Sequence, residues 1–406
     1  MASNAQLKLL TDFLNIPDVK VTHFKQDPSL GIILSISSLN SEVTCPHCGQ
    51  KSHKLHHNYS HLIKDLPMHG QNVYLQVNKR QMKCEKCLTT FSEPLEFCEP
   101  KRNYTKRLAD DILSQVKHSN IKSVAERTGV SESEIETMLK DLRKSLVGQK
   151  PQDLKRLGID EISLRKGQGN YCAVLVDLDN SQLLALVPDR TQSAIKKVLM
   201  SWGIDVLSGI EEVSIDLWRP YKSLVEKLMP NGSVVADRFH VMHQVQEELD
   251  NSRKQAKKEV NNMKDSEKKT AKIQAITHGK YVLLANSDNL TEAQKRKLEE
   301  INKEFPKLQK MHGLKEQLRE IFENDINWFD GLLDLAEWLK KSADLFPKSQ
   351  GTIRRWLVEI TAYFEQRTTN GIVEGINQKI KLVKRCGFGF RNIDNFELRC
   401  LLAFQD

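Results

Sequence analysis

The sequence of 406 residues contains no apolar run that approaches the roughly 18–20 residues needed to cross a membrane. Its N-terminal stretch, residues 1–18, lacks the basic head and uninterrupted apolar segment of a signal peptide. The sequence has no fixed-period repeat, no low-complexity tract and no GxxxxGK[ST] loop for ATP phosphates. Glycine (19) and proline (12) are too few for a collagen-like or disordered chain. We therefore expect a cytoplasmic protein of two or three globular domains that does not associate with membranes.

The charge is mildly basic and unevenly distributed. Lysine and arginine number 61 against 53 acidic residues, a formal charge of +8. Residues 375–391 contain cations and no acid. This balance permits nucleic-acid binding without establishing it.

Two CxxC pairs, Cys45–Cys48 and Cys84–Cys87, predict a structural zinc ion. Each CxxC turn delivers two thiolates, and two such turns complete a tetrahedral site. Residues 73–77 alternate between apolar and polar and lead into the second pair, as in a zinc ribbon. The alternative is two reduced thiol pairs without metal. A further alternative is that one of six nearby histidines replaces a cysteine as a zinc ligand.

Residues 101–150 predict three helices with a helix-turn-helix arrangement. The segment from Ile121 ends at Gly129, and Ser131 with Glu134 forms a capping box for the next helix. That last helix begins with acids at Glu132, Glu134 and Glu136, which repel phosphate. The alternative is a three-helix spacer or dimerisation module.

From residue 157 the pattern changes to alternating strands and helices, and two strands carry an aspartate among apolar neighbours. These are Asp160 in LGIDEIS and Asp216 in EEVSIDL. A buried carboxylate is costly unless a cation lies beside it. Glu374 is a third candidate, on a helix whose face also carries Asn377, although a solvated charged face is the ordinary explanation. This order of elements predicts a ribonuclease-H-like domain in which the acids bind two divalent ions.

Several motifs together resemble the transposases of bacterial insertion sequences. They are GIDEIS, SIDLWRPY, ADRFHV and NGIVEGINQKIKLVKRCGFGFRN, behind CPHC and CEKC. The chain is most similar to DDE transposases of the ISL3 family. The resemblance implies a catalytic triad of Asp160, Asp216 and Glu374, two Mg²⁺ (or Mn²⁺) ions, and one structural Zn²⁺ held by the four cysteines.

The resemblance also implies a function and the residues that support it. The ribbon and helix-turn-helix would recognise the terminal inverted repeats, and the triad would cleave the ends and join the 3′-hydroxyl to target DNA. Synapsis of two ends implies a homodimer or larger assembly, acting on DNA in the bacterial nucleoid. Asp237 and His240 match a D-x-x-H signature, with a structural hydrogen bond as the alternative role of His240. Trp218 and Tyr221 would support the site. The expected DNA contacts are His240, Asn377, Lys379, Lys381, Lys384, Arg385 and Arg391.

The predicted fold is a multidomain α+β chain, and the main alternative function is a catalytically inactive, transposase-derived DNA-binding regulator. A junction nuclease and a zinc-ribbon adaptor are weaker alternatives, because neither accounts for all segments. The predicted segments are an N-terminal lead (1–40), a zinc ribbon (41–100), a helix-turn-helix (101–150), a ribonuclease-H-like core (151–240), an all-α insertion (241–369) and a C-terminal core helix (370–406).

Overall fold

A computed structural model describes residues 3–163, 171–390 and 392–405. The chain divides into two compact units. The N-terminal unit comprises 1–145 and 383–390, and the C-terminal unit comprises 146–382 and 391–406. Within the described ranges, every helix is too short or too polar to cross a membrane.

The N-terminal unit is built around a five-stranded sheet. Strand order is β1-β2-β6-β5, with β7 on β6. β2 and β6 are parallel, so the N-terminal lead and the ribbon segment share one sheet. The elements are α1 (Asn4–Leu14), β1 (Val19–Asp27), β2 (Gly31–Ser38), β3 (Val43–Thr44), β4 (Lys51–Ser52), β5 (Leu55–Met68), β6 (Gln71–Lys83) and β7 (Thr90–Ser92).

Three helices complete this unit: α2 (Lys106–Lys117), α3 (Ile121–Thr128) and α4 (Glu132–Leu146). Gly129 ends α3 in the left-handed conformation that glycine adopts without strain. The predicted capping box is confirmed, since Ser131 Oγ accepts from the Glu134 amide and Glu134 Oε2 accepts from the Ser131 amide. Ile135, Met138 and Leu139 form the buried face of α4.

Two buried charges on β5 join the sheet to the helices. Lys64 donates from Nζ to the Gly129 carbonyl (2.6 Å) at the end of α3. Asp65, 1% exposed, accepts from Thr105 Oγ1 (2.7 Å) and Arg107 Nε (2.8 Å) at the start of α2. The first half of the unit thus fixes the position of the helix-turn-helix.

The C-terminal unit contains a second five-stranded sheet, in the order β10-β9-β8-β11-β12. β8, β9 and β10 are antiparallel neighbours, whereas β11 runs parallel to both β8 and β12. The predicted alternation of strands and helices is therefore confirmed, and β9 and β10 form a hairpin between 177 and 182. The elements are β8 (Arg156–Ser163), β9 (Tyr171–Asp177), β10 (Gln182–Val187), α5 (Gln192–Trp202), α6 (Ile204–Gly209), β11 (Glu212–Ile215), α7 (Arg219–Leu228) and β12 (Ser233–Ala236).

Residues 241–369, all of them described, contain helices and no strand. Trp338 and Trp356 are 2% and 4% exposed and therefore belong to the core. The insertion and the sheet share one hydrophobic cluster. The helices are α8 (Arg238–Asn261), α9 (Glu267–Ile276), α10 (Gly279–Leu284), α11 (Glu292–Glu304), α12 (Pro306–Glu323), α13 (Trp328–Ser342), α14 (Pro347–Arg355), α15 (Leu357–Thr361), α16 (Tyr363–Gln366), α17 (Gly371–Cys386) and α18 (Ile393–Ala403), with a 3₁₀ turn at Ser287–Asn289.

Replacing Asp65 with asparagine should destabilise the N-terminal unit. The change leaves the Arg107 guanidinium without its buried counter-charge, and breaking a buried ion pair costs about 3 kcal/mol. Glu99→Gln is the matched control, because the Glu99–Lys106 pair is exposed and should contribute less than about 1 kcal/mol. Urea denaturation of both variants measures the difference, and equal losses would contradict the assignment.

The buried imidazole of His312 should make the stability of the C-terminal unit depend on pH. Burial, with the neighbouring Lys315, lowers the pKa of His312 from 6.5 to about 4. Between these two pH values His312 is protonated in the unfolded chain but neutral in the folded one. The free energy of unfolding therefore falls by roughly 3 kcal/mol as the pH drops from about 6.5 to 4. In denaturation experiments across this pH range, the free energy of unfolding of His312→Leu should change less steeply with pH than that of the wild type. His243→Leu, at an exposed position, should keep the wild-type slope.

Candidate active site and metal centres

Asp160, Asp216 and His240 converge in the C-terminal unit. Ligand atoms of these three side chains all lie within 4.8 Å of one another. The closest approach is 2.7 Å, between His240 Nε2 and Asp216 Oδ1. Two carboxylates and an imidazole on one small surface form a possible metal site.

The sheet order explains why these residues meet. Asp160 lies on β8, and Asp216 directly follows β11, the parallel neighbour of β8. β12 is parallel to β11 on its other side, and Asp237 at its end caps α8 by accepting from the Phe239 amide (3.3 Å). His240 therefore lies in the first turn of α8, above the same edge of the sheet.

Helix α17 reaches this site through Asn377, not through Glu374. Asn377 Nδ2 donates to Asp160 Oδ2 at 2.6 Å. Gly158 on β8 allows the approach, because a Cβ there would lie 2.9 Å from Val373 Cγ2. Glu374 is exposed on the first turn of α17 and is absent from the group of converging ligand atoms in the described chain.

The electrostatics of the cluster reflect crowded negative charge. Burial, followed by the Asp216 carboxylate, raises the pKa of Asp160 to about 6. Burial also raises the pKa of Asp237. Burial opposes protonation of His240, but the hydrogen bond to Asp216 and the surrounding carboxylates raise the His240 pKa above its ordinary value. A cation at this position would relieve the repulsion.

The donor set of this cluster suits a hard divalent cation. Two carboxylates are typical ligands of Mg²⁺ or Mn²⁺. Asn377 Oδ1 is buried and has no hydrogen-bond partner in the described chain, and it belongs to the amide that contacts Asp160. The residues therefore fit such an ion.

A second polar cluster surrounds Glu161, which follows Asp160 on β8. Its carboxylate accepts from Tyr221 Oη (3.1 Å) and pairs with Arg190 Nη1 (2.8 Å). The Arg190 guanidinium lies 5.5 Å from the Trp218 ring centroid, and it also lies over Tyr171. The supporting positions expected for Trp218 and Tyr221 thus lie beside the site. Arg190 and Glu161 were missed as site neighbours, because no sequence signal connects residues 29 positions apart.

The acids at the β9–β10 turn stabilise the turn and lie outside the cluster of Asp160, Asp216 and His240. Asp177 Oδ1 accepts from the amides of Asp179 and Asn180. Asp179 pairs with Arg156.

The predicted DNA-binding cations are distributed along α17. Lys379 and Lys381 are exposed, and Lys379 Nζ lies 4.4 Å from the Phe404 ring centroid. Lys384 and Arg385 occupy the last turn of α17. Arg391 lies outside the described residues.

The four predicted zinc ligands converge in the N-terminal unit. All four sulfurs lie within 4.8 Å of one another, with 3.7 Å between Cys45 and Cys87 and 3.5 Å between Cys48 and Cys84. Thiolates at ~2.3 Å around one tetrahedral Zn²⁺ lie about 3.8 Å apart, so the geometry fits. The described histidines are absent from this cluster, so the four cysteines form the complete ligand set.

Comparisons with known proteins identify the family of the chain. A family model described as "Transposase" matches residues 157–400. A "zinc-finger of transposase IS204/IS1001/IS1096/IS1165" matches 41–87, and a "Helix-turn-helix domain of transposase family ISL3" matches 93–143. The fold and these matches define the class of the protein, which is a transposase with a zinc ribbon and a DNA-binding helix-turn-helix. The chain belongs to the ISL3 transposase family.

Two curated relatives carry transposase names. The transposase for insertion sequence element IS1001 of Bordetella parapertussis is 24% identical over 396 residues, covering 95% of each chain. The transposase for insertion sequence element IS1557 of Mycobacterium tuberculosis is 28% identical over 259 residues, covering 59% of this chain and 58% of the relative.

Zinc content should depend on the cysteine cluster. We expect one zinc per chain in purified protein, and Cys45→Ser should lower that content because three thiolates bind the ion less tightly. Cys98→Ser is the matched control, since Cys98 is a buried cysteine of the same unit outside the cluster. Elemental analysis of both variants tests this, and zinc retained equally in both would contradict it.

Proposed function

We propose that the chain binds the terminal inverted repeats of an insertion sequence, cleaves the element ends and joins the 3′-hydroxyl to target DNA. The observation that carries the proposal is the convergence of Asp160 and Asp216 with His240. Two carboxylates from adjacent parallel strands create the dense negative charge that divalent-ion phosphoryl transfer requires.

The proposed fold of the core is ribonuclease-H-like. The order β10-β9-β8-β11-β12 supports it, with three antiparallel strands followed by two parallel ones. Asp160 lies on β8, the first strand of this sheet in chain order, and Asp216 follows β11, its fourth strand. The C-terminal helix α17 then packs against the acid-bearing strand through Gly158.

Asp160, Asp216 and Glu374 are the proposed ligands of two Mg²⁺ or Mn²⁺ ions. Bound divalent ions supply activation of the attacking hydroxyl and stabilisation of the leaving oxygen. Asn377 fixes one oxygen of Asp160, and the amide of Glu161 fixes the other at 2.7 Å. His240 orients the Asp216 carboxylate. Glu374, one helical turn before Asn377 on α17, is proposed as the third ligand on the strength of the family resemblance.

Two phosphoryl transfers follow in the proposal. First, water attacks the scissile phosphodiester, its oxygen bonds to phosphorus, and the element end leaves as a 3′-hydroxyl. Second, that hydroxyl attacks a target phosphodiester, forms the new P–O bond and releases a target 3′-hydroxyl. Neither step consumes ATP. Lys379, Lys381, Lys384, Arg385 and Arg391 are the proposed phosphate contacts.

The proposed active complex contains at least two copies, because two element ends must be held together. The DNA substrate implies action at the bacterial nucleoid. Loss of any one of the three acids would favour the regulator alternative, and Asp160, Asp216 and Glu374 are all present.

Replacing Asp216 with asparagine should abolish cleavage while preserving binding to the repeats. The loss of one carboxylate that stabilises transferred charge should reduce nicking roughly 100- to 1,000-fold or more. Asp205→Asn, an exposed acid of the same unit, is the matched control. The measurement is nicking and strand transfer on duplexes that carry the inverted repeats flanking the gene, with and without Mg²⁺ or Mn²⁺. Metal-dependent nicking that persists in the Asp216 variant would refute the assignment, and repeat binding without nicking by wild type would indicate a regulator.

A further inference from the structure

The β5–β6 hairpin contains a stretch that is fully exposed on β5 and half-buried on β6. Residues 55–60 of β5 are all exposed, whereas one-sided sheets bury alternate residues. The stretch pairs with 78–82 of β6, and β5 is the edge strand of its sheet. We call residues 55–61 and 78–81 the two-stranded segment, and a third strand, β7, joins β6 from Gln81 onward.

Small cores fix both ends of the two-stranded segment. On one side, Ile63, Leu75 and Val77 belong to the core of the N-terminal sheet. On the other side, Met82 packs with the zinc-binding cysteines. The segment is therefore held rigidly between two anchored ends, and an exposed element held in this way loses little entropy on binding.

The chemistry of the segment is cationic and polar. No aspartate or glutamate occurs in residues 54–64 or 71–84. Arg80 is already engaged by Glu93 (2.7 Å). In the described chain, Lys54 and Lys79 have no carboxylate partner. Their ammonium groups are therefore available to phosphate.

One face of the segment gathers the groups that contact nucleic acid. Directly opposed residues share a face, and Tyr59 lies opposite Lys79 while His57 lies opposite Gln81. His61 lies on this face two residues after Tyr59, and the two rings meet edge to face at 6.5 Å. Tyr59 is 43% exposed. This face therefore carries an exposed aromatic ring beside the half-buried side chains of Lys79 and Gln81.

Helix α4 offers much less to DNA at its start. Glu132 and Glu136 are exposed there, and Glu134 is held by the Ser131 cap. The major groove admits a two-stranded ribbon as readily as a helix. The charge distribution thus favours the strands over the start of the helix as the base-reading element.

We propose that the two-stranded segment enters the major groove of duplex DNA at the terminal repeat. Gln81 and Tyr59 contact base edges, and Lys79 contacts phosphate. The inference rests on the proposed function, because it names the element by which the transposase recognises its repeats.

The experiment uses the full-length, zinc-loaded chain with a repeat duplex and a scrambled duplex of the same composition. Affinity is measured by fluorescence anisotropy over a range of salt concentrations. Gln81→Ala and Tyr59→Ala should reduce the ratio of repeat to scrambled affinity by roughly tenfold, the size of one lost base contact. Lys79→Ala should weaken both duplexes and reduce the salt slope by about one.

Matched controls separate this surface from general effects. Lys8→Ala removes the same charge from an exposed position on α1, and Tyr281→Ala removes an exposed tyrosine from the C-terminal unit. Both should leave the affinity for each duplex and the salt slope unchanged. Zinc content and circular dichroism establish that every variant is folded.

Three outcomes would each overturn the inference in a different way. Wild-type preference for the repeat with unchanged ratios in the Gln81 and Tyr59 variants would overturn the inference and leave the proposed function intact. A change in oligomeric state without a change in affinity would assign the edge of β5 to a second copy. A wild-type chain that cannot distinguish the duplexes would overturn repeat recognition itself, and the inference with it.

Discussion

Ligand atoms of Asp160, Asp216 and the His240 imidazole lie within 4.8 Å of one another. The repulsion between the two carboxylates is the constraint that the surrounding elements of the C-terminal unit must offset. Each compensating group comes from a different element: the Glu161 amide from β8, His240 from α8 and Asn377 from α17. The parallel pairing of β8 with β11 creates the repulsion. The start of α8 and the close packing of α17 relieve part of it, and a divalent cation would relieve the rest.

Local pattern predicts the elements of this unit, because strands rich in Val, Ile and Leu and helices with periodic apolar faces are encoded within short windows. It also predicts Asp160 and Asp216 as a pair, since both interrupt apolar strands. It does not predict that Asn377 contacts Asp160 across 217 positions, because that contact depends on how α17 packs over Gly158. The pairing of β2 with β6 is similarly set by tertiary packing.

In the N-terminal unit, two small cores stabilise the sheet. One core is apolar and lies beneath the sheet, and the other is organised around four cysteines. Cysteine spacing alone predicts the second, because ligand chemistry fixes the distances between sulfurs. The buried charges Lys64 and Asp65 extend this unit to the helices, and neither is recognisable from the sequence as a link.

The helical insertion packs together with the sheet that carries Asp160. Its side chains belong to the same hydrophobic cluster as the strands, so neither part buries its apolar surface alone. Helix α8 is both the first helix of the insertion and the element that presents His240 to Asp216. Any rearrangement of the insertion that tilts the first turn of α8 must therefore move an imidazole whose Nε2 lies 2.7 Å from Oδ1 of Asp216, a proposed metal ligand. The long insertion thus acts on the geometry of the site through packing and needs no direct contact with the reacting groups.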